Sequence, residues 1–162
     1  MNYSIIVPFY NEADNVPKLN GEIIEIIKNF YKESERKFEL IYIDDGSEDN
    51  TFEELKKIKN NQFPTRLIQH KYNLSQSSAL FTGIHFAKYN NLIFLDGDLQ
   101  NDPRDIGEMI KIFETGYDMV AGWRKNRKDE FLYKTFPSLI ANYFVRLFSN
   151  SKIHDHGCGL KI

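Results

Sequence analysis

Apolar positions along the chain fall into two alternating rhythms. Ser4-Ile5-Ile6-Val7-Pro8, Phe38 to Ile43 and Leu92 to Leu95 are short apolar runs, the pattern of strands covered on both faces of a sheet. Pro8 cannot donate to a ladder and is expected to end the first of them. Between the runs, Val16, Leu19, Ile23, Ile26/Ile27 and Phe30 recur every three or four residues, as on an amphipathic helix. Phe52, Leu55 and Ile58 mark a second helix, and Arg66 to His70 reads as a third strand. Ser75 to Tyr89 is expected to be helical, with Leu80, Ile84 and Ala87 inward. After Leu95, Pro103 opens a fourth helix through Ile106, Met109/Ile110 and Phe113, closed by Gly116. Asp118 to Gly122 follows as a fifth strand. Strict alternation of strand and helix predicts an α/β fold: an open, mainly parallel twisted sheet with helices on both faces. Ser4–Val7, Phe38–Ile43 and Leu92–Leu95 are expected as its inner strands.

In such sheets ligands bind beyond the carboxyl ends of the strands. Acidic and polar residues cluster there. Tyr10-Asn11-Glu12 follows the first strand, Asp44-Asp45-Gly46-Ser47 the second, and Asp96-Gly97-Asp98 the fourth. On extended backbone Asp96 and Asp98 point the same way and repel unless a cation lies between them. A hard divalent ion suits that pair, and Gln100 can add a carbonyl oxygen. The alternative reading is local: Asp-Gly is a turn pair, and Asn11-Glu12 and Ser47 are also helix-capping residues.

Composition narrows the class. The chain has 162 residues, 41% apolar and 14% aromatic, which suits one globular domain. A net charge of −2 makes no demand for nucleic acid. A single cysteine, Cys158, excludes an intrachain disulfide and fits a reducing compartment. The chain enters a strand-like run at once, without the pattern of a secretory leader, and carries no apolar run long enough to span a membrane. It stops at Lys161-Ile162 in a strand-like run, so the expectation is one domain over residues 1–162, truncated at its C-terminus.

From Trp123 the alternation breaks. Arg124-Lys125-Asn126-Arg127-Lys128 is a basic run, either a solvated face or a phosphate contact on the acidic rim. Leu132, Phe136, Leu139, Ile140, Tyr143, Phe144 and Leu147 form a helical stripe, either a core face or an interfacial helix. His154 and His156 lack a third ligand nearby in sequence and are not read as a metal site.

These pieces, in their order, resemble the inverting glycosyltransferases of family two with the GT-A fold, and within them the polyprenyl-phosphate, dolichol-phosphate-mannose-synthase-like group. The resemblance rests on Ile6 to Glu12, Asp44-Asp45-Gly46-Ser47, Asp96-Gly97-Asp98-Leu99-Gln100-Asn101-Asp102-Pro103, Gly122-Trp123-Arg124 with Arg127 and Asp129, and Asp155-His156-Gly157-Cys158-Gly159. It implies a metal-dependent enzyme moving a sugar from a UDP- or GDP-sugar to a polyprenyl phosphate, as a peripheral protein on the cytoplasmic membrane face. It implies that Pro8, Tyr10, Asn11 and Glu12 line the nucleotide pocket, and that Asp44, with Asp45, meets the base. Asp96, Asp98 and Gln100 would hold magnesium or manganese. Arg124 and Arg127 would meet phosphate, and Asp155 would face the acceptor. Two other readings stay open: transfer to a saccharide hydroxyl in cell-envelope polysaccharide synthesis, and an inactive fragment that binds nucleotide without turnover. A receiver domain shares the sheet, but its acid pair follows the first strand, not the second as here.

Overall fold

The computed structural model describes residues 1–33, 36–58, 63–123, 155 and 157–162. In chain order these form β1 (Asn2–Phe9), α1 (Val16–Glu33), β2 (Lys37–Asp44), α2 (Thr51–Lys57), β3 (Thr65–Gln69), α3 (Gln76–Phe86), β4 (Asn91–Phe94) and α4 (Asp105–Phe113). The four strands make one parallel sheet in the order β3-β2-β1-β4. The basic run Arg124–Lys128 and the apolar stripe Leu132–Leu147 lie outside the described residues.

Strand periodicity divides the core. Tyr3, Ile5, Val7 and Phe9 of β1 face one layer, together with Leu40 and Tyr42 of β2 and Ile93 of β4. That layer holds Val16, Leu19, Ile23 and Ile27 of α1, Leu55 of α2, and Ile106, Met109 and Ile110 of α4. Ile6, Ile41 and Ile43 face the other way, onto Ala79 of α3. Covered on both faces, β1 and β2 read as continuous apolar runs.

Two expectations are refined at the sheet. Pro8 lies within β1, opposite Ile43, and does not end the strand. Leu95 N–H donates to Ile6 O, so Ile6 and Pro8, two residues apart, turn the same edge toward β4. By Pro8 the β4 chain has already left the ladder, so the missing donor costs nothing. The strand β4 ends the parallel set, and its outer edge is not bare. Phe94 N–H donates to Lys161 O at 2.8 Å and Lys161 N–H returns to Phe94 O at 3.1 Å, in antiparallel pairing. Val120 and Ile162 exchange bonds of 2.8 and 2.9 Å beyond. The expected fifth strand therefore appears as a short bridge at Ala121, one antiparallel segment away from β4.

The inward face of α3 is also corrected. Ala79 and Gly83 are its buried residues, Leu80 and Ala87 pack partly buried against the same cluster as expected, and only Ile84, 44% exposed, turns away. A Cβ on Gly83 would collide with the Ile6 side chain, so the helix lies close upon the sheet and only small residues fit beneath it.

Candidate active site

Three strand ends deliver the site. Past Phe9, β1 turns through Tyr10, Asn11 and Glu12, with Asn11 at a positive φ of 56°. Asn11 N–H donates to Ser47 Oγ at 2.9 Å, and Asn11 Oδ1 accepts from Glu48 N–H at 2.8 Å. Glu12 N–H donates to Thr51 Oγ1 at 2.8 Å. These bonds lash the first loop to the second, so Asn11 acts as a tie between loops and is not among the residues lining the cleft.

The two acids after β2 separate. Asp44 is wholly buried, with Oδ1 accepting from Ser47 N–H and Oδ2 from Gln69 Nε2–H. Asp45 lines the cleft. Its Oδ1 accepts from Leu74 N–H at 3.1 Å and meets His70 Nδ1 at 2.7 Å, while Oδ2 accepts from Ser75 N–H at 2.9 Å. The other ring nitrogen of His70 lies 2.9 Å from Thr82 Oγ1, so one imidazole joins the ends of β2 and β3 to α3. Gly46, at φ 71°, packs where a Cβ would strike the Tyr72 backbone, which brings the 72–75 loop over Asp45.

After β4 the strand stops at Phe94, and Asp96-Gly97-Asp98 is a turn instead of the expected extended backbone. A Cβ at Gly97 would stand 2.8 Å from Pro8 O and 2.6 Å from the Phe9 ring. Glycine alone lets this turn cross the end of β1, and that crossing brings both aspartates to the cleft that Glu12 lines. Asp98 Oδ1 accepts from Gln100 N–H at 3.0 Å, closing the turn. Asp96 Oδ1 accepts from Gln76 Nε2–H at 2.6 Å, and Oδ2 from Asn101 Nδ2–H at 3.4 Å. Buried Asn101 in turn accepts from Cys158 Sγ–H at 3.2 Å.

The result is a cleft of about 320 Å³ lined by Pro8, Phe9, Tyr10, Glu12, Asp45 and Asn73, and by Gln76 with the turn residues Asp96, Gly97, Asp98 and Gln100. Pro8, Tyr10, Glu12, Asp45, Asp96, Asp98 and Gln100 are thus brought together at one cleft. Arg124 and Arg127 lie outside the described residues. Asp155 is buried, its Oδ1 accepting from Gly157 N–H at 3.1 Å, and it does not line the cleft. Sequence reasoning passed over Gln76, Asn73 and His70. Gln76 opens α3, while His70 and Asn73 lie in the polar stretch between β3 and that helix.

Electrostatically the cleft is one-sided. Four carboxylates line it, and among the described lining residues none is Lys or Arg. Burial raises Glu12 above the usual carboxylate range, the Asn15 hydrogen bond opposes this, and the Asp98 charge adds to it. The donor set of Asp96, Asp98 and the Gln100 carbonyl is hard oxygen, the kind a magnesium or manganese ion takes. Among the described residues no three His, Cys, Asp or Glu side chains gather tightly enough to hold an ion unaided. The fit is therefore to a metal completed by ligand oxygens. Among the described residues, no helix is long and apolar enough to cross a membrane.

A model of glycosyl transferase family 2 matches residues 4–160. The chain is 36% identical, over its whole length, to the dodecaprenyl-phosphate galacturonate synthase of Rhizobium johnstonii, covering 47% of that protein. It is 34% identical, over 98% of its length, to the undecaprenyl-phosphate 4-deoxy-4-formamido-L-arabinose transferase of Proteus mirabilis, again covering 47%. The chain thus spans about half the length of the curated relatives it matches. Among solved structures it resembles S. aureus TarS 1-349 in complex with UDP-GlcNAc, with a TM-score of 0.59 and 19% identity over 83% of this chain and 38% of that one. The shared fold is that of GT-A glycosyltransferases.

Proposed function

Because the chain belongs to glycosyl transferase family 2, we propose that it carries the donor-binding part of an enzyme that transfers a sugar from a nucleotide sugar to a polyprenyl phosphate. The observation that carries this is the convergence of Glu12, Asp45, Asp96 and Asp98 from three strand ends on one cleft without a described cation. A diphosphate placed among four carboxylates needs a cation between them. Asp96, Asp98 and Gln100 would hold a divalent magnesium or manganese ion, which when bound neutralises charge developing on the leaving diphosphate. Asp45 already receives three N–H groups of the roughly four it can accept. The remaining direction suits the ring N–H of uracil or guanine, so Asp45 is the candidate for the base and Asp44 supports the turn from behind. Pro8 and Tyr10 would flank the nucleotide.

For the acceptor, support comes from relatives named as polyprenyl-phosphate transferases. A phosphate monoester is largely dianionic near neutral pH, with a second pKa of about 6, so it needs no general base. Its oxygen attacks the anomeric carbon as the bond from that carbon to the nucleoside diphosphate breaks. The diphosphate leaves, and one displacement inverts the carbon. Arg124 and Arg127 would meet the phosphates, and Asp155 would orient them. The lipid acceptor sets the place of action, peripheral at the cytoplasmic face of a membrane.

The test is radiolabelled transfer from UDP- and GDP-sugars to undecaprenyl phosphate by the full-length protein, with and without manganese. Transfer is expected, and Asp98→Ala is expected to lower it by at least about 100-fold, as loss of a group stabilising transition-state charge does. Transfer only to a saccharide hydroxyl, or nucleotide binding without turnover, would replace this reading.

A further inference from the structure

The two faces of the sheet differ in charge. From Pro64 to Leu95 the chain carries no Asp or Glu, although it holds 23 such residues elsewhere. That span supplies β3, α3 and β4. The helix α3 and the strands it joins therefore bring only positive charge, from Arg66, Lys71 and Lys88. The helices on the opposite face carry both signs, with Glu25, Glu53 and Glu108 beside Lys28, Lys56 and Lys111. The net charge of −2 conceals this asymmetry. We propose that the outer face of α3, with the adjoining edge strand β3, lies against an anionic phospholipid bilayer. The inference rests on the membrane placement proposed above and adds to it the surface that makes the contact.

Three observations support it. First, the same span is apolar where it meets water. Tyr72, Leu74, Phe81, Ile84 and Phe86 are all exposed, Phe81 to 71%. Large apolar side chains grouped in this way mark an interaction surface, where single scattered ones do not. Second, the patch is continuous. Phe81 is three residues from Ile84 and four from His85, so the three are neighbours on the helix. The His85 ring meets that of Phe86 at 5.2 Å, and the Arg66 guanidinium lies 5.3 Å from the centre of the Phe86 ring, which carries the patch from α3 to the sheet edge. Third, the cations stand beside the rings. Lys71 lies 5.4 Å from the centre of the Tyr72 ring and Lys88 5.7 Å from that of Tyr89. Among the described residues, none of Arg66, Lys71 and Lys88 is ion-paired with a carboxylate. Rings that enter the headgroup layer beside cations that meet its phosphates are what an anionic bilayer takes. Such a bilayer offers negative charge over its whole surface and hydrocarbon just beneath, which matches a patch of rings and cations without acids.

The experiment is co-sedimentation of the 162-residue chain with vesicles of phosphatidylglycerol and phosphatidylethanolamine, and with vesicles of phosphatidylcholine alone, without donor or acceptor. Binding is expected to the anionic vesicles and is expected to weaken as salt rises. Phe81→Glu and Arg66→Glu change exposed positions. Each is expected to weaken binding about tenfold or more, the order that burial of one aromatic side chain supplies. In wild-type protein the vesicles are expected to slow amide exchange in residues 72–88, a measurement that stands even where a variant folds poorly. No binding, equal binding to phosphatidylcholine, wild-type binding by either folded variant, or slowed exchange confined to other peptides would overturn the assignment. A dimer in solution that Phe81→Glu abolishes would give this face to a second copy of the chain and overturn it as well. Sugar transfer to undecaprenyl phosphate in detergent is read separately, so the reaction stands where this surface fails.

Discussion

Asp96 is positioned by residues from three stretches of chain: Gln76 at the start of α3, Asn101 after β4, and Gly159 near the end. The last contact is the least forgiving. A Cβ on Gly159 would overlap the Asp96 carboxylate, so that side chain would have to swing away from its place. Gly159→Ala is therefore expected to displace Asp96 and weaken manganese-dependent UDP or GDP binding by about tenfold or more, while circular dichroism keeps its wild-type shape. Calorimetry with and without manganese reads this directly. Unchanged binding would mean that the Asp96 position does not govern the metal. The same reasoning explains the residue between the two aspartates. Gly97 crosses the end of β1 so closely that any side chain would meet Pro8 or Phe9.

At the scale of elements, α3 departs most from its sequence pattern. Phe81, Ile84 and Phe86 face outward and the small residues face the sheet, with Leu80 partly buried at its margin, because the helix approaches Ile6 and Ile43 closely at Gly83. Gly83→Val overpacks that contact and is expected to cost about 1–3 kcal/mol. In a chain of this size, that lowers the melting temperature by about 2–4 °C per kcal/mol. At the opposite end of the sheet, a polar cluster ties three elements. Arg36 pairs with Glu114 through two nitrogens, and Tyr3 O–H donates to Glu114 Oε1 at 2.9 Å. The Arg36 guanidinium holds the Glu114 carboxyl below the usual range; burial opposes this and the Tyr3 hydroxyl reinforces it. With the folded value depressed, the stabilisation is full above the unfolded value. It is lost as pH falls through the folded one. Wild type is thus expected to lose more melting temperature between about pH 5 and pH 3 than Glu114→Gln does. Parallel curves for the two proteins would remove Glu114 from the acid transition.

For the whole molecule, the donor reading makes a simple demand. Thermal shift with manganese is expected to favour UDP or GDP over ADP, since adenine has no ring N–H to offer the last acceptor direction of Asp45. Equal shifts for ADP would remove Asp45 from base recognition. The parallel sheet, its two-sided burial and the acid clusters on its carboxyl rim were all readable in the sequence. Each depends on residues a few positions apart, through strand and helix periodicity and local turn chemistry. Tertiary structure alone decided the rest. It set Asp44 behind the cleft and Asp45 within it, sent Ile84 outward, and laid residues 160–162 against β4. It also joined Gln76 to Asp96 across 20 positions, His70 to Asp45 across 25, and Cys158 to Asn101 across 57. Such contacts leave no periodic trace in a single sequence, because each depends on where two separate elements come to rest and on how closely their backbones approach.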